Sequence, residues 1–93
     1  MNPMQRRARV QRAIEEYNRY REPEARARLV SLDAQGLWVE FTGTFCRTCG
    51  AYDWYEDLVW ILKDHGLETE IGQVEEFLEG ARVWFRWKDQ PSG

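Results

Sequence analysis

The chain has two cysteines, and they stand close together: Cys46 and Cys49 are separated by Arg47 and Thr48. A C-x-x-C pair has three chemistries open to it. One thiolate can attack a disulfide while the other resolves the mixed product, the two can supply half the ligands of a zinc ion, or they can close as a structural disulfide. A reactive thiol needs a helix N-terminus or a nearby cation to stabilise the thiolate. Arg47 meets that need, whereas Asp53, Glu56 and Asp57 just downstream oppose it. The one histidine, His65, falls about twelve residues into the following helix, roughly 18 Å from its start at 1.5 Å per residue. It is too far away to join Cys46 and Cys49 on one ion. A zinc site would require two copies of the pair meeting at a dimer axis as four thiolates.

Nothing else in the chain has the spacing of a catalytic machine. There is no glycine-rich phosphate loop, nucleophile elbow, H-E-x-x-H pair or EF-hand loop. Glu75, Glu76, Asp53 and Asp57 occur where solvated faces and helix starts expect carboxylates, and His65 reads as a helix-end residue. No cofactor is expected, and a non-enzymatic role is favoured.

The elements that position these residues are legible from periodicity. Val10, Ala13, Ile14 and Tyr17 recur at helical spacing and predict a helix over 4–20, which Pro23 helps to end. Arg6 and Arg7 precede that stripe, so residues 1–9 are expected to project past the core or to pack on a partner. Leu37, Val39 and Phe41 alternate with Trp38, Glu40 and Thr42, and with 27–32 they predict a hairpin turning at Asp33-Ala34-Gln35-Gly36. A second helix is expected with Asp53 as N-cap, Glu56 completing a capping box, and Gly66 ending it with Leu67 packing back. Its buried face would carry Trp54, Tyr55, Leu58, Ile61, Leu62 and His65, and its exposed face Trp60 and Lys63. A second hairpin follows around Glu79-Gly80, with Val83, Phe85 and Trp87 inward.

LWVEFT at 37–42 and VWFRWK at 83–88 superpose in character, Trp38 over Trp84. Each half therefore reads helix, strand, strand, an internal αββ duplication. The expected fold is a two-layer α+β domain, αββαββ, with a four-stranded antiparallel sheet and both helices on one face. It spans 1–93 as one domain, with 89–93 as a flexible tail.

The local order strand, C-x-x-C, helix in FCRTCGAYDWYEDL resembles thioredoxin-like oxidoreductases over about 25 residues. That resemblance implies Cys46 as the attacking thiolate and Cys49 as the resolving thiol. Such proteins also carry a cis-proline loop beside the thiols, and this chain has no proline between Pro23 and Pro91.

If Leu37, Val39, Phe41, Val83, Phe85 and Trp87 face the helices, Trp38 and Trp84 face away, flanked by Glu40, Thr42, Arg82 and Arg86. An apolar patch of this kind suggests an interface, and Trp60 on the polar side of the second helix adds to it. The alternative is a base-stacking platform for single-stranded nucleic acid, with Arg6, Arg7, Arg9 and Arg12 gripping phosphates. Charge is split, with eight Arg against four Glu in residues 1–28 and five Lys/Arg against twelve Asp/Glu thereafter. That asymmetry fits a basic contact surface, and equally a basic first helix docking on its own acidic body. Two cysteines are too few for a disulfide-dense secreted domain, and no signal peptide or membrane span is read. A cytoplasmic location follows, and Arg, Glu and Trp usage leans toward a thermophilic source. The sequence thus points to a cytosolic interaction or regulatory module, homodimeric or bound to another protein, whose C-x-x-C turn is a structural or redox-responsive disulfide. A small thiol:disulfide oxidoreductase is the alternative, followed by nucleic-acid binding.

Overall fold

A computed structural model describes residues 2–22, 24–43 and 51–88. The element order is α1 (Pro3–Arg21), β1 (Ala25–Leu32), β2 (Gly36–Gly43), α2 (Ala51–Asp64), β3 (Thr69–Phe77) and β4 (Gly80–Trp87). The strands form one antiparallel sheet in the order β1-β2-β4-β3. Both helices pack on one face of it, the expected αββαββ arrangement. The chain's two hairpins meet through their second strands, so β2 and β4 are central while β1 and β3 are edges. No described helix is long and apolar enough to cross a membrane.

Local chemistry fixes the ends of these elements. The Asn2 side chain accepts the Gln5 backbone N–H at 2.8 Å, and Gln5 Oε1 accepts the Asn2 N–H at 3.1 Å. With Pro3 in the first turn, where its missing N–H costs nothing, this capping box starts α1 a residue earlier than periodicity suggests. The C-terminus of α2 is a Schellman motif: Gly66 (φ +80°) donates to the Lys63 carbonyl at 2.9 Å and Leu67 to the Leu62 carbonyl at 2.9 Å. Leu67 is buried beneath it, as its pattern predicts. At the other end of α2 the expectation fails. Asp53 lies inside the first turn of a helix already present at Ala51, so it is not the N-cap. A carboxylate is favoured by the helix dipole at either place, and its presence therefore does not locate the boundary.

Period-two and period-3.6 patterns converge on one core. Leu37, Val39, Phe41, Ala81, Val83, Phe85 and Trp87 point from the central strands to the helices. Val10, Ala13, Ile14 and Tyr17 of α1 and Tyr55, Leu58 and Leu62 of α2 cover them. Each large side chain in this set contributes about 1.5–3 kcal/mol by leaving water. The Tyr17 hydroxyl donates to the Trp54 carbonyl at 3.0 Å, giving a buried phenol a partner across the helix pair. Beside it, Arg21 forms an ion pair with Asp57, its guanidinium 4.5 Å from the Trp54 ring centroid. At the far end of this antiparallel seam, His65 Nε2 lies 3.1 Å from Glu16 Oε1 and Arg9 donates to the His65 carbonyl. His65 therefore ties the C-terminal end of α2 to the middle of α1.

Burial pushes the Tyr17 phenol well above its ordinary range. The folded state thus favours the neutral form. That stabilisation is complete below the unfolded value of about 10 and is lost as pH rises above it. In an alkaline absorbance titration, the Tyr17 phenol should resist ionisation until the chain unfolds, and Tyr17→Phe should reduce the amplitude of that late step by one phenol. A titration of Tyr17→Phe indistinguishable from the parent would contradict the burial.

Candidate functional site

The sheet face opposite the helices is uncovered by any described element, and its residues are set by strand register. Trp38 pairs directly with Trp84 across β2 and β4. Because these are the same position of the two repeats, an internal pseudo-two-fold axis runs between the two indoles, perpendicular to the sheet. The edges obey it as well. β1 is bulged between Leu29 and Ser31, against Val39 and Trp38, and β3 is bulged between Ile71 and Gln73, against Phe85 and Trp84. The same irregularity thus falls at equivalent points of both halves.

The indole rings lie 5.5 Å apart at a 42° tilt. Trp84 lies low across the sheet. A Cβ built on Gly36 would come within 2.8 Å of its ring, and one on Gly72 within 2.7 Å. The absent side chains of these two glycines provide the floor on which the ring rests. This changes one expectation. Trp38 and Trp84 do face away from the core, but both are half-buried and neither is fully open to water.

A row of charges crosses the face beside the tryptophans. Arg28, Glu40, Arg82 and Glu75 are successive cross-strand neighbours on β1, β2, β4 and β3, alternating in sign. Glu40 accepts from Arg28 at 3.0 Å and from Arg82 Nε at 3.5 Å. The Arg28 hydrogen bond, helped by the nearby charges, holds the Glu40 carboxyl below the usual carboxylate range. On the other side of the tryptophans, Arg86 bonds to Glu70 and lowers its pKa in the same way. Arg82 and Arg86 therefore flank the pair as expected, each already matched to a carboxylate on its own sheet.

The remaining site residues are scattered. Trp60, 62% exposed, projects from α2 on the helical side. It belongs with Tyr52, Val59 and Ile71 to an open groove of about 350 Å³ between α2 and β3, and so is not part of the Trp38–Trp84 surface. Arg6 stacks 4.5 Å over the Trp87 ring and Arg9 caps the α2 terminus, so the first turns of α1 lie against their own domain instead of projecting. Arg7 and Arg12 are exposed. All four arginines stand across the sheet from Trp38 and Trp84, and the fold does not bring a phosphate grip and a stacking platform onto one surface. Cys46 and Cys49 lie outside the described residues, as does the 89–93 tail. Among the described residues no cluster of three or more His, Cys, Asp or Glu is placed to hold a metal.

The sequence pattern omitted the two bulges and the glycine floor. One signal was present: Gly72 interrupts the strand run TEIGQVEEF, and a lone glycine within a strand marks a bulge or a close approach. The bulge at Val30 has no such mark. No family model matches the chain, and no curated protein or solved structure is significantly similar to it.

Proposed function

We propose that this chain is a cytosolic, non-enzymatic protein-interaction module that works as a homodimer, with the uncovered sheet face as its contact surface. The observation that carries this reading is the Trp38–Trp84 pair at the centre of that face. Two indoles set side by side and ringed by Arg28, Glu40, Arg82, Arg86 and Glu70 reproduce the layout of an interface, an aromatic centre inside a charged rim. The core does not need them, since Leu37, Val39, Val83 and Phe85 already fill the opposite side of the same strands. Cys46 and Cys49 carry no part of the argument.

Sedimentation equilibrium across the micromolar range tests it. Trp38→Ala and Trp84→Ala should each weaken self-association by roughly thirtyfold or more, as truncation of a central aromatic anchor does. Far-UV circular dichroism should show the fold retained. Association unchanged in both variants would refute the assignment of this surface.

A further inference from the structure

From the charge map of this face we infer the geometry of the dimer: the two sheets pack face to face about a two-fold axis parallel to the strands. Trp38 of each copy then lies on Trp84 of the other, and Glu40 faces the other's Arg82. This inference rests on the homodimer reading above and specifies it.

Side-to-side growth of the sheet is disfavoured first. Both edges are bulged level with the tryptophans, which breaks the flat ladder a neighbouring strand would need. Part of the β1 edge is also occupied, because the Asn18 side-chain amide bonds both the N–H and the carbonyl of Ala27. The open face remains. With four strands about 4.8 Å apart and central strands of eight residues, it measures roughly 20 by 25 Å, or about 1,000 Å² over two copies. That reaches the lower limit for a specific interface, about 1,000 Å².

Two face-to-face arrangements share the same backbone shape, because the internal pseudo-two-fold axis makes one nearly superposable on the other. Their charges differ. With the axis along the strands, β2 lies over the partner's β4 and β1 over its β3. Glu40 then meets Arg82, and Arg28 meets Glu75, twice each. With the axis across the strands, each strand lies over its own counterpart and the rows invert. Arg82 would face Arg86 and Glu75 would face Glu70, both like-charge pairs. Aligned sheet packing turns the strands by about 30° between layers. Arg82 and Glu40 stand only two residues, about 7 Å, along the strands from the Trp38–Trp84 centre, and their side chains span the resulting offset.

Mixing charge-reversal variants reads the geometry. Glu40→Arg alone and Arg82→Glu alone should each associate about tenfold or more weakly than the parent, since each places like charges across the interface twice. Mixed in equal amounts they should recover parent-like affinity as a heterodimer, seen as the mixed mass in native mass spectrometry. Within each chain the broken Arg28–Glu40–Arg82 row is not repaired by mixing, so recovery reports contact between copies alone. An Arg82→Glu homodimer tighter than the parent would overturn this axis while leaving the homodimer intact. Two variants that dimerise like the parent, with random mixing, would also overturn it. A parent monomeric at every concentration would refute the homodimer reading itself. If either reversal fails to fold, the milder Glu40→Gln and Arg82→Gln form a double-mutant cycle, and a coupling of zero in dimer affinity overturns the proposal.

Discussion

Phe41→Ala should bring the domain to the edge of unfolding at room temperature. Phe41 is fully buried on β2, and its ring is the meeting point of the two layers. It lies 5.5 Å from Tyr17 of α1 in an edge-to-face contact, 5.1 Å from Tyr55 of α2 and 6.2 Å from Phe85 of β4. Truncating such a side chain costs about 3–5 kcal/mol, the transfer loss plus the cavity left by neighbours that cannot collapse onto it. Aromatic pairs add about 0.5–1.5 kcal/mol each. A domain of this length holds roughly 5–14 kcal/mol in total. Urea denaturation followed by circular dichroism should show most of the folded baseline lost, whereas Phe41→Leu, nearer in volume, should cost under about 2 kcal/mol. A Phe41→Ala midpoint close to the parent's would show that this ring does not join the layers.

Gly80→Ala should be comparably severe for a different reason. A Cβ at Gly80 would sit 1.9 Å from the Phe41 carbonyl oxygen and 3.2 Å from the Thr42 Cα. Both are backbone atoms of β2, the strand hydrogen-bonded to β4 at that point. No rotamer change relieves the clash, and the central ladder must open or shift. The expected loss is about 3 kcal/mol or more, at the upper end for overpacking. Gly72→Ala is the control. Its Cβ would press on the Trp84 side chain and on no backbone atom, and a side chain can adjust where a paired strand cannot. That variant should lose less than about 1.5 kcal/mol and shift the tryptophan fluorescence. Equal losses in the two variants would contradict the distinction between backbone and side-chain approach.

The parts of this fold legible in the sequence were those encoded in periodicity. Alternation in LWVEFT and VWFRWK assigns Phe41 and Phe85 inward and Trp38 and Trp84 outward, because a one-residue slip would expose the entire core set. Helical spacing picks out Val10, Tyr17, Leu58 and Leu62, all buried. The match of the two halves implies the order of elements. What was not legible depends on pairs far apart in the chain. The placement of β2 beside β4 makes neighbours of Glu40 and Arg82, and the floor under Trp84 needs Gly36 on one strand and Gly72 on another. A pattern along one strand says which face a residue takes and not what lies across from it. The two indoles therefore read as more exposed than they are, and Trp60, also outward on its own helix, read as part of the same patch while standing on the other side of the domain.

The central seam also bears on how the chain reaches its native state. Each half closes contacts between residues near one another in sequence, as in the turn from Asp33 to Gly36 or from Phe77 to Gly80. The β2–β4 ladder, joining Gly36 to Arg86 and Thr42 to Gly80, and the α1–α2 seam that closes over it must wait for distant segments to find each other. Closing so wide a loop is entropically costly, and such contacts set the pace of folding. Assembly thus divides into two quick local events and one slower union, so that a single chain folds much as two small subunits would associate, with the linker standing in for concentration.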